Sequence, residues 1–482
     1  MKKLLILLLI DILGVSSFAQ SHTEQIDKIM RAFHDVGQFS GTVLVAEHGK
    51  IIYENGFGNA SMEWNIPNAP DTKFMLGSLS KQFTAMLVLQ LVDKGLIELN
   101  KTISVYLPYY PKNTGSKITV RQLLNHTSGI PDIMNLPDFD EKYAAKHFTT
   151  KELLGNFDDL PLDFEPGTRF NYSNSGYNVL AAIIEETTGK TYGAVLKEFI
   201  TEPLNMKNTG YAPSISVISN LANAYLWAPL DGYIHPGYFD NSISKGSGGI
   251  YSTVDDLFKW DQALYTDILV PETLRNKMME PNKNGYGFGF WISQWENPTT
   301  KKPLTFVEHG GANAGFVTEI LRSVDDKNTI ILLSNTNEAK LNFIKYRIRS
   351  VLYERPYDLP EKSVKNIVAE VLKEEGIEAA KSKYSELKKE QLDLYGEGEF
   401  IFEFSQLGYS LFLSGHMDEA IEIYKMNAVS FPNSAKVFDD LGEAYMFNGS
   451  KELAIKYYSK SLELDNSNLR IKTMLTKLKN IK

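Results

Sequence analysis

The sequence predicts an α/β domain followed by an all-α domain. Three observations carry this. Strand patterns stand at 41–56 and again at 287–334, with helix patterns between them. From Glu361 onward almost every segment reads helical. Within that tail, residue types recur at an offset of 34 positions.

Element by element, Ile26, Ile29, Met30 and Phe33 mark one face of an opening helix. Gly41–Glu47 (GTVLVAE) and Ile51–Gly56 are strands flanking His48-Gly49-Lys50, which reads as a hairpin. Ser80–Lys94 is a strongly apolar helix that Gly95 stops. Helices are expected at Val120–Leu124, Lys151–Leu154, Ser175–Thr187, Tyr192–Ile200 and Thr253–Leu264. Asp255 and Asp256 open the last of these, where acidic residues suit the helix dipole. Strands return at Gly287–Ser293, Thr305–His309, Gly315–Arg322 and Asn328–Ser334. Strands from both ends predict one sheet built from distant segments, with the helical middle beside it.

Pro356 and Pro360 break the chain, and helix pairs follow. They are Glu361–Lys373 with Ile377–Lys389, Phe402–Ser414 with Met417–Ser430, and Lys436–Met446 with Ser450–Leu464. Arg470–Lys479 is a final helix. Leu407, Gly408, Gly415, Ala420 and Tyr424 match Leu441, Gly442, Gly449, Ala454 and Tyr458, each 34 residues on. Small residues at helix crossings and aromatics in the grooves let successive pairs stack. The period resembles the tetratricopeptide repeat. The pair at 361–389 reads as a degenerate repeat or cap.

The 482 residues carry 50 Lys+Arg against 59 Asp+Glu, a formal charge of −9, which argues against a broad nucleic-acid footprint. With no Cys, disulfides, a thiolate nucleophile and Cys-ligated metal are excluded. Lys2 and Lys3 precede Leu4–Ile10; Asp11 interrupts the apolar run, and Ile12–Phe18 resumes it. Ser17 and Ala19 then offer small residues for cleavage before Gln20. Residues 1–19 are therefore expected to be a signal peptide, whose loss removes two Lys and one Asp. No later segment is long and apolar enough to span a membrane. The expected location is a bacterial periplasm or exterior. The expected divisions are 20–355 for the α/β domain, 356–395 for a helical linker or degenerate repeat, and 396–482 for the repeats.

Ser78-Leu79-Ser80-Lys81 is a Ser-x-x-Lys pattern where the apolar helix begins. Three residues are nearly one turn, so Lys81 faces Ser78. A buried lysine there loses its proton more readily and draws one from the serine. Alone the pattern is weak. Tyr172-Ser173-Asn174 lies in a polar loop before a helix, with a phenol to relay a proton and an amide to hold a carbonyl. His309-Gly310-Gly311-Ala312 ends a strand, where glycines allow close approach to backbone. Each segment by itself is also a turn or cap.

In this order, the segments resemble the serine beta-lactamase and penicillin-binding fold. Residues 25–350 are similar to the class C beta-lactamase-related serine hydrolases. Further stretches carry the resemblance: His126–Pro131, Phe170–Tyr177, Gly248–Thr253 and Tyr286–Gly289. It implies an antiparallel sheet plus a helical subdomain. It also implies Ser78 as a nucleophile forming an acyl-enzyme, with Lys81 and Tyr172 sharing acid–base work. Asn174 would orient the scissile group or Lys81. The amides of Ser78 and Ala312 would form the oxyanion hole. No cofactor or metal is implied.

His309-Gly310-Gly311 stands where true beta-lactamases have Lys-Thr-Gly. A histidine is charged only part of the time near neutral pH. That weakens the case for beta-lactams and leaves esters, amides or D-peptides as substrates. The leading expectation is an exported ester or amide hydrolase. The alternatives are a D-amino-acid peptidase or D,D-carboxypeptidase acting on peptidoglycan-type peptides, and a catalytically weak protein-binding module. A protein or peptide partner is expected for the repeats.

Other signals are bland. Gly189-Lys190-Thr191 imitates a phosphate loop, but Ile184 stands where glycine is required. The eight histidines show no close metal-ligand spacing. His126 is expected to brace the fold. The aromatic stretch Tyr225–Phe239 reads equally as a wall of the cleft or a surface loop.

Overall fold

The computed structural model describes residues 21–136, 139–211 and 213–480. The expected signal peptide lies outside them. Two compact units emerge. One holds the described residues through Tyr225 together with Pro236–Pro360; the other holds Leu226–His235 and Glu361 onward.

The first unit is organised by a six-stranded antiparallel sheet. Its strands are β1 (Gly41–Glu47), β2 (Lys50–Phe57), β3 (Trp291–Glu296), β4 (Pro303–Asn313), β5 (Phe316–Ser323) and β6 (Asn328–Ser334), in spatial order β3-β4-β5-β6-β1-β2. β1 pairs with β6 from Gly41↔Ser334 to Ala46↔Thr329, so the sheet does join both ends of the domain. Side chains alternate across it. Val43, Val45, Ile330 and Leu332 enter one core with Ile26, Phe33, Ile344 and Ile348. Leu44, Ala46, Ile331 and Leu333 enter the other, larger core. Both faces are covered, which is why β6 is buried along its whole length.

The first face is covered by the helix at 21–35 and by Leu341–Leu352. The second is covered by the helical cluster around Ser80–Asp93. That helix is buried on every side from Ser80 to Leu91, as a core helix must be when it is apolar all round. It ends where expected: Gly95 adopts φ +70° and Leu96 N–H closes onto the Leu91 carbonyl. Thr253 caps Val254–Ala263, accepting from the Asp256 N–H.

The second unit contains Val364–Glu375, Ile377–Tyr395, Glu397–Leu413, Met417–Ser430, Ala435–Phe447, Lys451–Leu464 and Leu469–Asn480. The repeat has a steric basis. A Cβ on Gly408 would lie 2.5 Å from the Tyr424 ring, and one on Gly442 would lie 2.8 Å from the Tyr458 ring. Each glycine is the seat of the tyrosine from its partner helix. Arg470 of the last helix pairs with Asp439 and Glu443, closing the stack. The hairpin Leu226–Ala228 and Gly232–Ile234 belongs to this unit; Trp227 and Leu230 pack on its core.

Among the described residues no helix is long and apolar enough to cross a membrane.

Candidate active site

Ser78 sits in the one-turn helix Gly77–Leu79 that runs directly into Ser80–Asp93. The turn is held from several sides. Gly77 has φ +54°, and a Cβ there would lie 2.6 Å from the Ala312 nitrogen. A Cβ on Gly311 would lie 2.0 Å from the Leu76 carbonyl oxygen and 3.0 Å from the Ser78 nitrogen. These two glycines let β4 lie against the Ser78 turn. Thr318 on β5 adds a hydrogen bond to the Leu76 carbonyl at 2.7 Å. The Ser78 and Ala312 backbones are thus brought side by side.

One turn along, the Lys81 ammonium is wholly buried. It donates to Ser78 Oγ at 3.1 Å, to Asn174 Oδ1 at 2.7 Å and to the Ser247 carbonyl at 2.8 Å. Burial lowers its pKa to about 7, against a smaller opposing pull from Asp132. The arrangement is a lysine that titrates near neutrality while touching a serine hydroxyl.

Asn174 begins the helix Asn174–Thr188, capped by the Ser173 hydroxyl. Its amide faces two ways. Oδ1 accepts from Lys81, while Nδ2 donates to Asp132 Oδ2 at 2.8 Å. The Asn174 N–H reaches the same oxygen at 3.1 Å. Asp132 is a site residue that the sequence reading did not single out. The sequence signal for it is its place directly after His126–Pro131.

Tyr172 presents its ring to Lys81, with the ammonium 4.7 Å from the ring centre. Burial pushes the phenol well above its ordinary pKa, and the Ser78 hydroxyl pulls the other way. The buried hydroxyl makes no close hydrogen bond among the described residues, so its contact with Ser78 is looser than that of Lys81. His126 backs the ring at 4.2 Å. Its Nδ1 accepts from the Ser173 N–H at 3.1 Å, and burial holds it neutral, so it supports Tyr172 as a fixed wall.

His309 is placed differently from the part-time cation expected of it. It is buried, and burial with the nearby Lys81 charge lowers its pKa to about 3. Nδ1 meets the Gly310 carbonyl at 2.6 Å and Nε2 meets the Tyr286 hydroxyl at 3.0 Å. A neutral ring donates from Nδ1 and accepts at Nε2. His309 therefore holds the strand. A Cβ on Gly310 would lie 3.0 Å from Glu319 Oε2, so that glycine too serves packing within the sheet.

A cavity of about 380 Å³ opens beside Ser78, and Asn174, Ser247, Ala312, Asn313 and Phe239 are among its walls. Its described lining carries no charged side chain. The aromatic stretch Tyr225–Phe239 divides: Phe239 walls the cavity, whereas Leu226–His235 belongs to the helical unit.

Residues 26–353 match the family model described as "Beta-lactamase". The chain belongs to the beta-lactamase family. Penicillin-binding protein 4* of Bacillus subtilis (strain 168) is 33% identical over 364 residues, covering 71% of this chain and 79% of that relative. Residues 435–468 match the tetratricopeptide repeat model. Among solved structures, the penicillin-binding protein from Bacillus halodurans aligns at 24% identity with a TM-score of 0.57, covering 68% of this chain and 98% of its own. The D-amino acid amidase from Ochrobactrum anthropi SV3 aligns at 24% identity with a TM-score of 0.59, covering 69% and 99%. These two share the beta-lactamase fold. Family membership makes this chain a serine hydrolase with a beta-lactamase/transpeptidase-like fold, and the separate repeat match gives it a C-terminal helical repeat region.

Proposed function

We propose that the protein is an exported bacterial hydrolase of uncharged esters or amides, acting through an acyl-enzyme on Ser78. The observation that carries this is the short path from Asp132 through Asn174 and Lys81 to Ser78, in which burial keeps Lys81 titrating near neutrality. Neutral Lys81 takes the Ser78 proton as Oγ attacks the carbonyl carbon. The oxyanion settles between the Ser78 and Ala312 amides, each such donor contributing about 2.7–4 kcal/mol in the transition state. Tyr172, kept as a phenol, passes a proton to the leaving alcohol or amine and regains one from Lys81. Water then attacks the acyl carbon, and the same groups return the proton to Ser78.

The charge-free lining supports neutral substrates. A buried, neutral His309 offers no cation to a carboxylate, which disfavours beta-lactams and peptidoglycan C-termini. Hydrolysis of D-amino-acid amides is the second reading, favoured by the fold shared with the D-amino acid amidase. The lysine-led, Ala19-terminated leader supports export to the periplasm or exterior, with 20–355 as the catalytic domain. The repeats at 396–482, joined through 356–395, are proposed to take a protein or peptide partner.

A panel of nitrophenyl esters, D- and L-amino-acid amides and nitrocefin tests the reading, with fluorophosphonate labelling as a second readout. Turnover of neutral esters or amides, lost in Ser78→Ala, is expected. A folded protein with neither labelling nor turnover of any member would overturn it.

A further inference from the structure

Strand β4 outruns one of its neighbours. β3 pairs with it from Glu296↔Pro303 to Trp291↔Glu308. From His309 to Asn313, the strand partner among the described residues is β5 alone. This one-sided stretch carries the Ala312 amide, and it contains Gly310 and Gly311, whose backbones are the freest to move.

Alternation puts Gly311 on the Ser78 side of the sheet and Glu308 and Gly310 on the other. On that far side Glu319 of β5 stands directly across from Gly310. A Cβ on Gly310 would lie 3.0 Å from Glu319 Oε2. Lys345 of the helix Leu341–Leu352 reaches the same place. Its ammonium donates to Glu319 Oε1 at 3.0 Å and to Glu308 Oε2 at 2.7 Å. Lys345 is 3% exposed and Glu319 6%. One buried cation thus ties the helix to β4 and β5 at the point where β3 leaves off.

Buried ion pairs gain little stability over apolar packing of the same shape. Two carboxylates on one ammonium are poorly matched as well, and burial, opposed by Lys345, pushes the Glu319 pKa up to about 7. What the ions add is direction, which apolar contacts lack. We propose that Glu319 and Lys345 are positioning residues for the oxyanion hole. With Glu308 they hold β4 from behind, so that the Ala312 amide, two residues beyond Gly310, meets Ser78 correctly. This deepens the function reading above and rests on it.

The test uses the full chain with Glu319→Leu, Glu319→Gln and Glu308→Leu. Steady-state hydrolysis of p-nitrophenyl acetate reports catalysis, and inhibition by phenylboronic acid reports the oxyanion hole. Amide hydrogen exchange across His309–Asn313 reports the strand, and urea titration reports stability. Glu319→Leu leaves Lys345 paired with Glu308. It should lower kcat about tenfold with KM held, on the scale of a small misplacement at the reacting centre. Phenylboronic acid should bind more weakly by a similar factor, and His309–Asn313 should exchange faster while urea stability stays near wild type. Glu319→Gln, which keeps an acceptor for Lys345, should restore most of kcat. Glu308→Leu should shift kcat in the same direction by less; it decides the matter if Glu319→Leu does not fold. Unchanged kcat with unchanged exchange overturns the proposal, as does a rise in KM with kcat held. If the wild type cleaves no ester, the function reading fails on its own, and equal exchange in wild type and Glu319→Leu would then overturn the positioning claim.

Discussion

Asp132 holds Asn174 by two hydrogen bonds to one carboxylate oxygen, 2.8 Å from the side-chain amide and 3.1 Å from the backbone N–H. This fixes which way the Asn174 amide points. Its oxygen is left for Lys81, and through Lys81 the orientation reaches Ser78. Asp132→Asn should therefore lower kcat/KM by about 10–100-fold, comparable to losing a supporting hydrogen bond in other organised sites. It should also move the acid limb of the pH–rate profile. The Asp132 charge favours protonated Lys81, so removing it lets Lys81 lose its proton at lower pH. A limb displaced upward would contradict the assignment.

The same lysine links activity to pH. With a folded pKa of about 7, the acylation rate should fall tenfold per unit as pH drops below that value. Stability carries the opposite face of this shift. Between pH 7 and 10.5 the unfolded chain keeps a proton on Lys81 that the folded chain has lost, so folding stability rises with pH across that window. Lys81→Met removes the dependence. Thermal melts of both proteins from pH 6 to 10 should show wild type gaining on the variant as pH rises.

Gly311→Ala tests the packing of β4 against the nucleophile turn. The new methyl would meet the Leu76 carbonyl oxygen at 2.0 Å, which forces the strand away. Overpacking of this kind costs about 1–3 kcal/mol or more. Displacing the Ala312 amide should cut kcat by about 100-fold or more, the scale of a lost oxyanion donor. Denaturant titration and single-turnover acylation measure the two effects separately.

Gly442→Ala should destabilise the helical unit by about 1–3 kcal/mol, because its methyl would press 2.8 Å from the Tyr458 ring. Shrinking that ring in Gly442→Ala/Tyr458→Leu should recover part of the loss. A double-mutant cycle by thermal melting checks this, and strictly additive effects would argue against direct contact.

Much of this fold and site is legible in the sequence, and the remainder is set by contacts between distant segments. Gly41–Glu47 and Asn328–Ser334 are the observed strands to the residue, because apolar runs bounded by turn residues leave little choice. Ser78 and Lys81 meet because Ser-x-x-Lys is a local relation that one helical turn enforces, whereas Asn174 reaches Lys81 across 93 positions and is expected there only through the family resemblance. Asp132 acts across 42 positions of chain, which no local spacing reveals. The helix Leu341–Leu352 is not among the expected elements, although Leu341, Ile344, Ile348 and Val351 are spaced as one face. The strand expected at Gly287–Ser293 begins instead at Trp291, because Gly289 turns the chain at φ +80° against the Lys81 and Gln82 backbone. Residue type alone suggests a part-time cation at His309; its neutrality comes from burial beside Lys81, a tertiary property.

The pairing of β1 with β6 also bears on how the chain is made. Ser334 donates to the Ser40 carbonyl across 294 positions, at the middle of the sheet. Most of the catalytic unit must therefore leave the ribosome before its central strands can meet. Non-local pairing of this sort is slow to form. A chain whose interior strands pair this late would stay threadable longer, and that is the state the proposed export requires.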